Sequence, residues 1–557
     1  GPSNGRRFRI GFLAGLAAGV VASGVMLFAS VAYGGVSLPE ELGSEITALM
    51  PPGMFEYLHQ LIGGDAKVYL FYIILVGQCL VFALSGGLYN LVVARILAAS
   101  GKARTKRQLD WLDGVLLAGA LWLLTGLLFL PVTGAGIFGA QLSSGLQSTM
   151  LSLAIVGLVF GLLFVPIQNW LATRMPGKRS NQAIAVKQAE ADEDDEPGIG
   201  LSRRDLFKQG VIIAGVALLG VGAWRFITEG AGTASAPVTK LVKQFKSKIV
   251  PPPVPNYGAI QPAQGLSPEV TSNDQFYIVS KNLFSDPTVA AASWNLTVYG
   301  EVEHPFELSY QQMLAQPMKQ QYESLMCISN DVGGQYMSNA LWEGVPLADL
   351  LHRAGVKPGA SKVVFYAADD YSDSIHLSKA LEPTTLLAVR MNKATLPQGH
   401  GFPVRMLVPG IYGMKHCKWL TRIEVVNTNY QGYWQQRGWS DAAPVRLTSR
   451  IDTPLTGATL TANKPTYIAG VAFSGNKGIS EVDVSVDDGQ TWRRATLKHP
   501  LSDLTWVLWE LDWQPGAGNY TVLVRAVDLE GNVQDPNEAP PLPNGSSGYH
   551  TIVVSVS

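Results

Sequence analysis

Long apolar runs without charge limit most strongly what this chain can become. Residues 10–34 carry no charge, and runs at about 68–94, 111–131 and 148–171 carry almost none. Each reaches the ~20 residues that a helix needs to cross a bilayer. A fifth, shorter run, VIIAGVALLGVGAW at 211–224, follows the polar stretch SRRDLFK. Composition agrees: only 15% of the 557 residues are charged, against about 25% in average soluble proteins. These runs predict an N-terminal all-α transmembrane bundle of about five helices, four within 1–174 and a fifth at 209–227. The opening Gly-Pro-Ser, in place of Met, reads as a processed or appended end.

Charge placement predicts the orientation, because Lys and Arg concentrate in cytoplasmic loops. Arg6, Arg7 and Arg9 precede the first run, Arg95 to Arg107 separate the second and third, and Arg174 to Lys208 separate the fourth and fifth. The segment 35–66 instead carries Glu40, Glu41, Glu45, Glu56 and Asp65. The expected topology puts the N-terminus in the cytoplasm of a bacterial cell and everything after about 226 in the periplasm. The histidines, at 59, 304, 352, 376, 400, 416, 499 and 550, all lie outside the spans. A transmembrane b-type haem therefore lacks its axial ligands. Gln78, Asn90 and Gln168, and the Gly15 and Gly19 pair, read as helix-packing positions.

The net charge of −1 excludes the basic face of a nucleic-acid binder. Three cysteines, Cys79, Cys327 and Cys417, cannot build a disulfide framework. Residues 175–208 contain the acidic block AEADEDDEPG and read as a solvated cytoplasmic linker. Residues 228–272, with PPPVP at 251–255, read as a semi-extended extracytoplasmic tether. From 273 to 440, short β-rich runs such as KVVFYAA alternate with helical stretches such as PLADLLHRAG, which predicts an α+β domain. From 441 to 557, alternating Val, Ile, Trp and Tyr with Asp-Gly and Glu-Gly turns predict a β-sandwich, with Trp492, Trp506, Trp509 and Trp513 as core and edge residues.

The α+β region has no Gly-rich phosphate loop, no G-x-S-x-G and no H-E-x-x-H. Cys327 stands in ESLMCISNDVGGQYMSNALWEGVPLADLL, and its thiolate suits a soft metal. One cysteine cannot hold a metal alone; if Cys327 is a ligand, the other ligands must come from a cofactor. The run QGHGFPVRMLVPGIYGMKHCKWLTRIEVV offers His400 as a hydrogen-bonding ring, Arg405 as a rigid fork for phosphate, and glycines for close backbone approach.

C-x-S-N-x-x-G-G with W-x-G-V-P-L-x-D-L-L, then H-G-F-P-V-R-x-x-V-P-G and K-W-L-x-R-I, resembles the sulfite oxidase superfamily of mononuclear molybdenum enzymes over about 276–540. The resemblance implies a molybdenum-molybdopterin (Mo-pyranopterin) cofactor with Cys327 as metal ligand. It assigns His400 and Arg405 to the pterin and its phosphate, and His416, Cys417 and Lys418 to its lining. The segment SNDQFYIVSKN, with Asn273, Tyr277, Lys281 and Asn282, matches the part that closes over the pterin. Tyr371 matches the active-site tyrosine. A Cys327–Cys417 disulfide is not expected on this reading, because it would occupy the metal's sulfur.

The implied activity is oxygen-atom transfer on a sulfur-oxo or similar small substrate. Electrons would pass to or from a separate partner, a cytochrome c or a membrane redox complex, since neither a b5-type domain nor C-x-x-C-H occurs. SRRDLFK resembles a twin-arginine export signal, and the last domain resembles the family's immunoglobulin-like dimerisation domain, which leaves a homodimer or a larger membrane complex as the expected assembly. Where sulfite oxidases carry an arginine pair, this sequence has Asn330 and Asp331, which argues against sulfite and leaves Lys281 or Arg437 to supply positive charge. The competing reading is a cofactor-free structural or binding subunit of a membrane redox complex.

Overall fold

A computed structural model describes residues 4–33, 37–49, 66–99, 111–133, 135–140, 145–174, 265–282 and 286–557. The expected fifth span, the acidic linker and most of the tether lie outside these residues. The chain divides into two compact units, one helical and N-terminal, the other rich in sheet.

In the helical unit, α1 (Asn4–Tyr33), α2 (Leu38–Leu49), α3 (Ala66–Ala99), α4 (Trp111–Leu124) and α5 (Gly145–Arg174) are joined by short turns or by segments outside the description. Helix α4 runs on through a π-turn at Thr125–Phe129 to Val132. Four stretches are long and apolar enough to cross a membrane: Asn4–Ser30, Tyr69–Val93, Trp111–Val132 and Leu146–Arg174. Their outer faces carry large apolar side chains such as Ile73, Val76, Leu116 and Leu151. In a bilayer, where lipid is as apolar as the packed face, no hydrophobic force would pull such helices together, and close van der Waals approach would have to do so. Gly114 of α4 lies against the backbone of Gly161 in α5, and Gly15 of α1 against the carbonyl of Phe82 in α3, where a side chain would collide. The polar residues also serve packing: Gln78 Nε2 donates to Ser23 Oγ at 2.8 Å, and Asn90 Nδ2 to the carbonyl of Arg7 at 3.2 Å.

The sheet-rich unit holds two regions. In the first, β1 (Asn295–Gly300), β2 (Phe306–Ser309), β3 (Lys319–Met326), β4 (Met337–Pro346) and β5 (Lys362–Ala367) are followed by β6 (Ser372–His376), β7 (Leu386–Met391), β8 (Ala394–Thr395), β9 (Arg405–Leu407) and β10 (Leu420–Val426). They form one sheet of order β2-β1-β10-β5-β6 and another of order β3-β4-β7-β8, with β9 also on β7. β4 and β7 are buried along their whole length, as expected of central strands covered on both faces. The amphipathic helix Leu347–Ala354 packs Leu347, Leu350 and Leu351 into the core and ends on Gly355 in the left-handed region.

In the second region, β11 (Thr448–Thr453), β12 (Thr459–Leu460), β13 (Thr466–Phe473), β14 (Ile479–Ser485) and β15 (Arg493–Arg494) precede β16 (Thr496–Leu497), β17 (Val507–Trp513), β18 (Gly518–Asp528) and β19 (His550–Val556). The sheets β11-β13-β17-β16 and β12-β19-β18-β14-β15 share one core that includes Ile468, Trp509, Val484, Val524 and Val554. Trp506, Trp509 and Trp513 are buried, and Trp492 lies half-buried beneath Arg525, 4.2 Å from the ring centre.

Candidate functional site

A cleft of about 780 Å³, counting its open mouth, lies in the first sheet-rich region. The strand β3 delivers Cys327 to it. Along this strand and its continuation, Leu325 and Cys327 line the cleft, while Met326 and Ile328 point the other way into a separate core. That is the two-residue alternation of extended backbone. Cys327 is 6% exposed, and its Sγ lies 3.0 Å from Ser329 Oγ. None of the three cysteines forms a disulfide. Among the described residues no three His, Cys, Asp or Glu side chains gather as a metal site.

Opposite Cys327 lies a group of buried donors. Arg405, at the start of β9, donates from Nη1 to the carbonyl of His400 at 3.1 Å and from Nη2 to that of His416 at 3.4 Å. Its Nε has no hydrogen-bond partner among the described residues. A buried guanidinium with an open donor costs free energy until an acceptor arrives. Burial lowers Arg405 to about 10, which leaves it charged at neutral pH. Lys418 donates to the carbonyl of Gly399 at 3.1 Å, and burial lowers it to about 8.

The two histidines are neutral for the same reason: burial lowers His400 to about 4 and His416 to about 3. His416 Nδ1 accepts from the amide of Val408 at 3.4 Å and its Nε2 lies 3.1 Å from the carbonyl of Ile411, so the ring proton sits on Nε2. His400 Nε2 lies 2.9 Å from the carbonyl of Asn273. The Cys417 thiol, raised by burial and then by Asp369 and Asp373, stays protonated. Tyr277 lines the cleft with its hydroxyl beside Gly413, and its pKa is raised by burial and then by Cys327.

Tyr371 also lines the cleft. Its hydroxyl lies 2.7 Å from the carbonyl of Met414 and 2.9 Å from Asp373 Oδ2. Asp373 is fully buried and meets Lys415 Nζ at 2.8 Å; Lys415 also reaches Asp441, at 3.1 Å, and Lys362 pairs with Asp441 at 2.6 Å. This braced set of two lysines and two aspartates sets the ring of Tyr371 from behind.

The predicted residues Cys327, Tyr277, Lys281, Tyr371, His400, Arg405, His416, Cys417 and Lys418 thus share one cleft. Asn273 and Asn282 do not line it; Asn273 works from behind, through His400 and through Asn392 Nδ2 at 2.8 Å. The arginine-replacing pair also sits elsewhere. Asn330 is buried with its Oδ1 accepting the amide of Tyr336 at 2.7 Å, and Asp331 is exposed. The acid that does face the cleft is Asp369, 3.9 Å from Lys281. Arg437 stacks on Tyr433, 3.5 Å from the ring centre, and does not line the cleft. Sequence reasoning missed Asp369, the stacked pair Trp434 and Trp439 at 4.0 Å, and the Asp373 to Lys415 pair. Asp369 could have been found from its place two residues before Tyr371; the others carry no local signal.

A molybdenum-pterin group fits these residues on three counts: a soft sulfur on one wall, an open guanidinium donor, and neutral imidazoles flanked by cations for a phosphorylated ligand. Comparison with known proteins agrees. The profile of the oxidoreductase molybdopterin binding domain matches residues 284–434, and that of the Mo-co oxidoreductase dimerisation domain matches 443–542. The sulfite oxidase of Arabidopsis thaliana is 31% identical over 332 residues, 49% of this chain and 84% of that protein. The mitochondrial sulfite oxidase of Rattus norvegicus is 33% identical over 258 residues, 40% of this chain and 47% of that protein. The chain thus spans about half the length of the mammalian relatives. Among solved structures, the sulfane dehydrogenase SoxCD from Paracoccus pantotrophus aligns over 49% of this chain and 80% of its own, at 24% identity and a TM-score of 0.42.

Proposed function

The chain belongs to the sulfite oxidase family of molybdopterin-dependent oxidoreductases, and from that premise we propose that it is a membrane-anchored enzyme of oxygen-atom transfer acting on a small sulfur-oxo substrate. The observation that carries this reading is the meeting of the Cys327 sulfur, the open Nε of Arg405 and the hydroxyl-bearing Tyr371 around one cleft. When bound, the cofactor supplies a molybdenum centre that exchanges an oxygen atom and two electrons with the substrate.

The protein's part is to hold and to select. Cys327 provides the protein's sulfur to the metal. Arg405, with Lys418, takes the anionic end of the pterin, while the neutral rings of His400 and His416 offer hydrogen bonds without adding charge. Tyr277 closes one side. Lys281, 5.5 Å from the ring centre of Tyr433, draws an anionic or strongly dipolar substrate toward Tyr371. Asp369 pairs with that lysine and tempers the attraction, so a sulfoxide fits the mouth better than a fully charged sulfite. Trp434 and Trp439 wall off water beside them.

The four apolar helices, with a fifth span at 209–227, anchor the chain in the bacterial inner membrane with the N-terminus cytoplasmic. The catalytic domain, 273–440, is exported folded through the twin-arginine route. The two-sheet region from 441 onward is immunoglobulin-like and pairs two copies. A cytochrome c or a membrane redox complex exchanges electrons with the site.

Metal analysis of the detergent-solubilised chain from a cofactor-competent host tests the centre of this proposal. About one molybdenum per chain is expected, falling to background in Cys327→Ser with the fold intact by circular dichroism. Folded wild-type protein without molybdenum would instead identify a cofactor-free subunit.

A further inference from the structure

We infer that the C-terminal β-region is a working part of the site: it positions the Cys327 sulfur. This deepens the molybdenum reading above and rests on it for the sulfur's purpose, although not for the geometry.

Three sets of contacts converge on the segment that carries the cysteine. First, the strand alternation that turns Leu325 and Cys327 to the cleft turns Met326 and Ile328 into a core shared with Val471, Phe473, Trp506 and Leu508 of the C-terminal sheets. The cysteine is therefore flanked by two side chains seated in the other region. Second, β3 is an edge strand, and the C-terminal region covers that edge. Ser502 Oγ donates to the carbonyl of Tyr322 at 2.7 Å, the amide of Ser324 donates to the carbonyl of Leu504 at 3.0 Å, and the amide of Trp506 donates to Ser324 Oγ at 2.9 Å.

Third, the loop after the cysteine is tied from the same side. Within itself it closes through Cys327 N to Tyr336 O at 2.9 Å and Asn330 N to Cys327 O at 3.1 Å. From outside, Ser546 Oγ donates to the carbonyl of Asn330 at 2.7 Å, in a buried bond. Arg450 Nη1, on a side chain 3% exposed, donates to the carbonyl of Gly334 at 2.8 Å. The ring of His550 fills the space where a side chain at Gly333 would stand. Its Nδ1 is held in turn by the amide of Ile451 at 2.9 Å. The buried Asn330 is thus a bracing point: it spans from the cysteine's own carbonyl to the C-terminal region.

Ser546, Phe473 and Arg450 do not line the cleft; they are positioning residues acting through Asn330, Met326 and Gly334. Their effect is read from the thiol itself. In full-length protein prepared without cofactor, alkylation of each cysteine by N-ethylmaleimide is followed by peptide mass spectrometry, with Cys417 of the same cleft as the internal reference. Ser546→Ala is expected to change the Cys327 to Cys417 rate ratio by roughly twofold to tenfold, the range that one lost hydrogen bond corresponds to, and Phe473→Leu to change it through the packing lost beside Met326. Val524→Ala, in the core between the two C-terminal sheets, lowers stability and leaves the ratio unchanged. In the loaded enzyme, Ser546→Ala keeps its molybdenum and shifts the thiolate-to-metal absorption band, while Ser546→Thr restores it.

An unchanged ratio in both positioning variants, or an equal change in Val524→Ala, overturns the inference. A changed ratio in a chain that never takes up molybdenum removes the catalytic reading and leaves the positioning in place.

Discussion

At the scale of single residues, the site sets protonation by burial. His400 and His416 fall to about 4 and 3 from an ordinary 6.5, and Glu323, on the same strand face as Cys327, rises to about 8 from 4.5, in each case chiefly through desolvation. The signs oppose each other. Between pH 4.5 and 6.5 the unfolded chain binds the two histidine protons that the fold refuses, so stability rises with pH. The fold alone keeps the Glu323 proton up to about pH 8, so that contribution is lost as pH rises above 4.5. Two protons against one give a net rise to pH 6.5, then a fall to about 8, each uncompensated proton being equivalent to about 1.4 kcal/mol per pH unit. These three groups therefore place a stability maximum near pH 6.5. Melting temperatures of the wild type across pH 5 to 9 should show the alkaline fall, and Glu323→Gln should flatten it; an identical slope in the variant would assign the fall to other groups.

At the scale of elements, the two halves of the chain use different means to bring backbones together. In the sheets, hydrogen-bonded ladders do most of this, with glycine at the closest approaches, as at Gly344 against Leu387. Between the membrane-type helices, contact requires that side chains be missing, as at Gly114 against Gly161. Gly114→Ala puts a methyl group into the facing backbone and should cost about 1–3 kcal/mol, the usual range for overpacking. Thermal unfolding of the helices in detergent, followed by far-ultraviolet dichroism, should shift downward accordingly, while molybdenum content stays at the wild-type level. β3 shows how one element serves two neighbours: one face lines the cleft, the other is seated in the C-terminal core, and its edge is capped by residues 502–506.

At the scale of the whole molecule, the proposed topology, a cofactor-loaded domain outside the membrane joined to apolar helices, raises the problem of order, because loading would have to precede passage through the membrane. SRRDLFK, placed before the proposed fifth span, is the proposed solution. Arg203→Lys with Arg204→Lys should strand the β-rich domains inside, so that an external protease no longer reaches them in spheroplasts. Normal exposure of the double variant would refute the twin-arginine route. The fold and the site were unequally legible. The four spans read directly from uncharged length, and the cleft's chemical residues from two motifs. Asn330 and Asp331 misled, since a position three or four residues after Cys327 faces the site only if the turn between them allows it. Here that turn buries Asn330 against Tyr336 and sends Asp331 to solvent.

Sequence by itself determined which stretches are apolar enough for lipid, which residue types suited to metal and phosphate chemistry stand in the motifs, and where strands run, because each of these depends on neighbours within a few positions. Tertiary structure alone decided that Asp373, Lys415, Asp441 and Lys362 neutralise one another behind Tyr371, and that Ser546 holds the carbonyl of Asn330 216 positions away in the chain. Buried charges and carbonyls must find partners wherever the fold brings one within 3 Å or so, and no local pattern records which partner that will be.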